Sequence, residues 1–191
     1  MDRTYEWLER VFMRIKENEV RLTDMDRAIG DGDHGANMVR GMEAALEGAR
    51  SAENRLKAAG MAIMSVTGGA AGSLYGSALY EVSKSVKGIE SLEDVKRVSE
   101  IMLGKIKSLG GARVGDKTIV DVLEPFTIAL GDGKSFDEAL AIAEEAMNNT
   151  RDIVARKGRA SYLGERSRGT IDPGACSMYL MLKSFEVLWY P

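Results

Sequence analysis

The sequence predicts an all-α protein, an antiparallel bundle or barrel of about eight helices whose connecting loops build a site at one end. Three observations carry this. Apolar residues recur at steps of three and four along most of the chain, the period of a helix with one buried face. Aromatic residues make up only 6% and alternating β-branched runs are missing, so no segment reads as a strand. Glycine-rich breaks at Gly30–Gly35, Gly68–Gly76, Gly110–Gly115, Gly131–Gly133 and Gly158–Gly174 separate the helices by short connections, which favour antiparallel neighbours. Several breaks follow alternate helices and so gather at one end.

Taken in order, Tyr5, Leu8, Val11/Phe12 and Ile15 mark the first helix. Met38, Met42, Ala45/Leu46 and Ala49 repeat the pattern, as do Leu92, Val95, Val98, Ile101/Met102 and Ile106. Ser135 with Glu138 reads as a capping box opening a helix through Phe136, Ala139, Leu140 and Ala143. Asp172-Pro173 reads as an N-cap followed by proline at the first helical position, and Met178, Met181/Leu182, Phe185 and Leu188/Trp189 line the helix after it. Pro125 is expected to kink the helix that contains it.

Composition narrows the function. Residues 1–191 have the apolar and charged balance of one globular domain, 45% and 29%. A net charge of −3 disfavours a grip on nucleic acid, where neutralised phosphates supply most of the affinity. The single cysteine, Cys176, excludes an intrachain disulfide and disfavours a cysteine-built zinc site. The acidic first residues do not read as a signal peptide, and no run approaches the ~20 apolar residues that span a bilayer. A cytoplasmic protein with no membrane association is the expectation.

The most informative segment is Leu22–Asn37, with the string Gly30-Asp-Gly-Asp-His-Gly35 at its centre. The string satisfies the G-x-G-x-x-G pattern, but a helix precedes it where a dinucleotide fold needs a strand, and Asp31 and Asp33 would repel a pyrophosphate. A calcium loop fails as well, because Gly35 and Met42 fall where ligands are required. What remains is a cluster of carboxylates, Asp26, Asp31 and Asp33, held close by glycines. Such groups repel one another unless a cation or solvent intervenes. Hard oxygen ligands suit Mg²⁺ or Mn²⁺, and Mg²⁺ is commonly shared with substrate phosphates. On spacing alone, a solvated Asp/Gly turn with a surface His34 is equally consistent.

The other breaks carry weaker signals. Thr67-Gly-Gly-Ala-Ala-Gly-Ser-Leu-Tyr-Gly76 runs into a helix, and reads either as an anion-binding helix N-terminus or as close helix packing through small residues. Gly110–Thr118 reads as a turn capped by Asp116. Arg156–Arg168 has five basic residues against one acid, suiting a phosphate clamp or a docking surface, with Arg166 and Arg168 assigned to docking.

Together, LTDMDRAIGDGDHGANMVRG, GGAAGSLYG, GDKTIVDVLEP and ARKGRASYLGERSRGTIDPGA resemble, in the same order, the nucleotide-binding L subunit of dihydroxyacetone kinase. The resemblance spans Leu22 to Ala175. It implies an antiparallel barrel of eight α-helices with the nucleotide at one end. Asp26, Asp31 and Asp33 stand where that family holds a pair of Mg²⁺ ions. His34, Gly35, Ala36, Asn37, Ala70, Ala71, Gly110, Ile119, Arg159, Asp172, Pro173 and Gly174 fall on its contacts to ADP or ATP. Ala71 lacks a hydroxyl common at that place, and Ile119 replaces a Met-like contact to the base.

The resemblance also implies partners. One is a subunit that carries dihydroxyacetone and supplies the base. In the free-standing version of the family, a phosphohistidine phosphocarrier of the sugar phosphotransferase system recharges bound ADP. The alternatives are an ATP-exchanging kinase subunit for this or another acceptor, and a nucleotide-sensing regulator read by a transcription factor.

Overall fold

The structure is a computed structural model in which residues 2–189 are described. Nine α-helices and three short 3-10 segments account for the regular structure of those residues, with no strand among them. The helices are α1 (Thr4–Glu17), α2 (Glu19–Ile29), α3 (His34–Ala49), α4 (Arg55–Val66), α5 (Gly69–Val82), α6 (Leu92–Gly110), α7 (Val120–Gly131), α8 (Phe136–Asn149) and α9 (Pro173–Lys183). Helix α1 packs on α3, and each helix from α3 to α8 packs on its successor. Helix α9 then packs on α8 and α1, which closes the ring. Eight helices form the barrel, and α2 is an extra piece laid against α3 and α9.

The extra helix arises at Asn18, which ends α1 and begins α2. Its carboxamide donates to the Arg14 carbonyl at 2.9 Å, beside its own backbone N–H at 3.2 Å, so that side chain and main chain together cap the end of α1. The expected helix near residue 92 is α6, opened by a capping box between Ser91 and Asp94 and closed by Gly111 in the left-handed region, φ +58°. The Ser135–Glu138 capping box and the Asp172-Pro173 start both form. The last helix is shorter than its apolar period suggests. It ends at Lys183 and continues as a 3-10 segment, Ser184–Leu188, where the Ser184 hydroxyl donates back to the Leu180 carbonyl at 2.8 Å. Pro125 lies inside α7, which continues through it.

The core draws on every barrel helix. Trp7 of α1 stacks on Phe185 with ring centroids 4.8 Å apart, and Phe126 of α7 meets Phe136 of α8 edge to face. Helices α4 and α5 touch through their backbones: a Cβ at Gly60 would lie 2.7 Å from the Gly76 carbonyl oxygen. Packing this close fixes where α5 begins, and so fixes one wall of the site.

Candidate functional site

One end of the barrel holds a cleft of about 420 Å³. The loop before α3, the starts of α5 and α9, the loop before α7 and the first residues of the basic segment all contribute to it.

Its acidic wall is built by α2 and the loop that follows. Oxygen atoms of Asp26, Asp31 and Asp33 all lie within 4.8 Å of one another. Asp26 is held firmly, because its Oδ2 accepts the backbone N–H groups of Asp33 at 2.8 Å and His34 at 3.1 Å. It thereby caps α3 from seven and eight residues away, and its negative charge sits at the positive end of that helix. Gly35 anchors the same corner from behind. A Cβ there would lie 2.2 Å from the Glu19 carbonyl oxygen, so α3 can approach α2 only with glycine at this place. Asp31 and Asp33 are exposed, and Asp31 pairs with the Arg159 guanidinium. Three hard oxygen donors, one fixed and two solvent-facing, fit a small divalent cation that keeps some of its other ligands.

Opposite in charge is the start of α5. Gly68 is its N-cap and supplies no side-chain cap, and Gly68, Gly69, Ala70 and Ala71 at this positive pole of the helix line the cleft. The glycines of this segment divide into two jobs. Side chains at Gly68 and Gly69 would meet nothing within 4 Å, and Gly69 has φ +69°, whereas Gly72 and Gly76 are pressed against the Thr67 carbonyl and against α4. The segment is thus an open helix start in its first half and a helix–helix contact in its second. Ala70 and Ala71 line the cleft, and Ala71 offers no hydroxyl.

Helix α9 contributes Asp172, Pro173 and Gly174. Asp172 is the N-cap, its Oδ2 accepting the Ala175 N–H at 2.7 Å, and burial pushes its carboxyl up to about 7. Gly174 leaves room for Ile119, whose Cγ2 would lie 2.9 Å from a Cβ at that position. Ile119 forms an apolar wall there.

Three helices are tied together just behind the cleft. His34 Nε2 and Ser177 Oγ are 2.9 Å apart, and Ser177 Oγ and Tyr75 Oη are also 2.9 Å apart, joining α3, α9 and α5. Burial holds His34 below the usual histidine range. Its Nε2 thus serves the protein framework.

Most of the expected residues come together here: Asp26, Asp31, Asp33, His34, Asn37, Ala70, Ala71, Ile119, Arg159 and Asp172–Gly174 all line the cleft. Gly35, Ala36 and Gly110 do not. Gly35 faces α2, Ala36 is exposed, and Gly110 ends α6 beside Leu74. Of the basic segment only Lys157–Ala160 reaches the cleft. Arg166 is exposed, and Arg168 donates to the Asp152 carbonyl and pairs with Glu165. The Gly110–Thr118 turn is capped by more than Asp116, which accepts the Arg113 N–H at 3.0 Å. Asp121 accepts those of Gly115 and Thr118 at 2.6 and 2.7 Å.

Sequence reasoning missed Arg40, Tyr75, Lys117, Thr118 and Lys157 as cleft residues. Lys157 lies in the basic run Arg156–Arg168. Nothing in the sequence marks Lys117, a buried lysine at φ +62°, because its partners are carbonyls of distant turns.

The DAK2 domain family model matches residues 28–186. The ADP-binding subunit DhaL of a PEP-dependent dihydroxyacetone kinase 1 from Listeria innocua is 42% identical over 182 residues, covering 92% of this chain and 90% of its own. The corresponding subunit of a PTS-dependent dihydroxyacetone kinase from Lactococcus lactis is 40% identical, with 98% of each chain covered. An L-erythrulose 1-kinase from Mycolicibacterium smegmatis is 40% identical over 88% of this chain and 32% of its own length. The crystal structure of the dihydroxyacetone kinase from C. freundii in complex with AMP-PNP and Mg²⁺ superposes with a TM-score of 0.72 at 22% identity. It shares the fold over 95% of this chain, which spans 33% of that one.

Proposed function

The chain belongs to the DAK2 domain family, and from that premise we propose that it is the ADP/ATP-binding subunit of a dihydroxyacetone kinase. In this reading it presents the terminal phosphoryl group of a bound nucleotide to dihydroxyacetone carried on a partner subunit, in the cytoplasm. The observation that carries the reading is the juxtaposition of three carboxylates with an uncapped helix N-terminus across one cleft. Alone, the acids would repel phosphate and the helix end would attract it. A site with both poles suits a phosphate chain that arrives with its own cations.

Asp26, Asp31 and Asp33 would hold Mg²⁺, which when bound neutralises phosphate oxygens and the charge that builds on them during transfer. The chain's own groups do the rest. The N–H groups from Gly69 to Ala71 and the Arg159 guanidinium supply donors for the phosphates. Ile119, Leu74 and the Asp172–Gly174 turn provide the apolar and backbone surfaces against which the nucleoside packs. The His34–Ser177–Tyr75 chain keeps the three helix starts in register, so that donors need not rearrange when charge moves. The general base is assigned to the acceptor-carrying partner.

The likeness to subunits named PEP-dependent and PTS-dependent supports a nucleotide that stays bound and is recharged by a phosphohistidine phosphocarrier. The likeness to an L-erythrulose 1-kinase supports a second reading, in which the partner presents another keto-sugar. Purifying the chain in Mg²⁺, gel-filtering it, denaturing it and quantifying the released nucleotide tests the proposal. Stoichiometric ADP or ATP is expected. Nucleotide that binds but washes off would instead mean an exchangeable substrate, and no binding in any divalent metal would overturn the kinase reading.

A further inference from the structure

Arg40 lies on α3, six residues or roughly 9 Å along the axis from His34. Asn37 stands one turn before it on the same face. The Arg40 Nε donates to the carbonyl of Val66 at 3.0 Å, and Nη2 donates to Asn37 Oδ1. Val66 is the last residue of α4, two positions before the Gly68 cap of α5. The side chain is therefore fastened at two points beside the helix start that attracts anions.

A guanidinium has five N–H groups. These contacts take two of them, and three remain on a fork that borders the cleft. Neither acceptor carries charge, and no carboxylate among the described residues forms an ion pair with Arg40. Of the other three cleft cations, Arg159 pairs with Asp31 and the Lys117 ammonium is engaged by two carbonyls, while Lys157 offers a single ammonium and no planar fork. Arg40 also sets Asn37. Because a guanidinium only donates, Asn37 must turn its oxygen to it, which frees the carboxamide N–H groups for an acceptor in the cleft.

We propose that Arg40 is a second phosphoryl-binding arginine, its free fork touching the terminal phosphoryl oxygens of a bound nucleoside triphosphate and stabilising them during transfer. This rests on the kinase reading above. In the step it serves, the bond from the terminal phosphorus to the bridging oxygen breaks and its electron pair stays on the diphosphate. A bond to the acceptor's hydroxyl oxygen forms, and the hydroxyl proton passes to a base on the partner subunit. Lysine cannot replace Arg40, since a single ammonium cannot hold Val66 and Asn37 while presenting a planar fork.

The test compares Arg40→Gln and Arg40→Lys with the wild type. The readouts are ADP and ATP affinity in Mg²⁺ by calorimetry, thermal midpoint, and phosphoryl transfer in the kinase reconstituted with its partner subunits. Arg40→Gln is expected to bind ADP within about threefold of wild type, to lose about tenfold in ATP affinity, and to transfer about 100-fold more slowly, the scale for removing one transition-state donor. Arg40→Lys should regain part of the ATP affinity and little of the rate. An unchanged ATP-to-ADP affinity ratio with an unchanged rate overturns the proposal. Equal losses for ADP and ATP with a lowered thermal midpoint overturn it too, because they would make Arg40 structural. If the wild type binds neither nucleotide, the kinase reading itself fails and the proposal falls with it.

Discussion

Lys117 donates its ammonium to the carbonyl of Thr170 at 2.6 Å, across 53 positions of sequence, and the same ammonium reaches the Thr150 carbonyl at 2.8 Å. The Thr150 hydroxyl in turn accepts the Asp172 N–H at 3.0 Å. One buried charge thus joins the loop that carries Ile119, the turn after α8 and the start of α9. Burial lowers the Lys117 pKa from its ordinary value, and the charge of nearby Asp172 opposes that.

Replacing Lys117 with Met should leave the Thr170 carbonyl without its donor, while the Thr150 carbonyl keeps the Ile153 N–H at 3.3 Å. At about 1–3 kcal/mol for an unsatisfied buried group, a loss of about 2 kcal/mol is expected. For a chain of this size that is roughly a 4–8 °C fall in thermal midpoint, read by circular dichroism. A smaller loss with nucleotide affinity intact would mean that water replaces the ammonium.

Gly35→Ala tests the corner behind the acidic cluster. The added methyl would sit 2.2 Å from the Glu19 carbonyl oxygen and 2.3 Å from Thr23 Oγ1, and backbone cannot yield cheaply. A destabilisation of about 1–3 kcal/mol is expected. Mg²⁺-dependent nucleotide binding should weaken as well, since α2 carries Asp26 and must move away from α3. Urea denaturation and calorimetry measure the two effects.

Asp31→Asn removes an exposed carboxylate, so the fold should keep its stability within about 1 kcal/mol even though the ion pair with Arg159 is lost. Nucleotide retention in Mg²⁺ should be abolished. Normal retention in this variant would sink the assignment of the acids to metal.

Arg159→Ala should leave the helical circular dichroism spectrum unchanged, because the side chain is 65% exposed. A charged hydrogen bond is worth about 1.5–3 kcal/mol, so nucleotide affinity should fall roughly ten- to a hundredfold. Unfolding instead would make the residue structural.

Asp172 gives a pH dependence with a definite sign. Its carboxyl is raised to about 7 in the fold, while an unfolded chain ionises it near ~3.9. Between these values the native state binds more protons than the unfolded state, so this group makes stability fall as pH rises from about 4 to about 7. Asp172→Asn keeps an oxygen for the Ala175 N–H and should flatten that part of the curve. Thermal midpoints of both proteins between pH 5 and 8 check it; parallel curves would place the dependence elsewhere.

What the sequence determined by itself is whatever depends on neighbours along the chain. The apolar period set the helices, Ser135 with Glu138 set a start, and Asp172-Pro173 set another, because caps are built within three or four residues. The Asp31–His34 stretch and the basic run kept their chemistry legible for the same reason. The tertiary structure alone decided what depends on encounters between distant segments. It made Gly35 a packing contact and turned Asp26 into a cap for the next helix. It divided one glycine segment between an open helix end and a helix–helix contact. Arg40 and Lys117 became part of the site through the carbonyls of Val66, Thr150 and Thr170, and a backbone carbonyl is the same group in every residue. No side-chain pattern announces it as a partner.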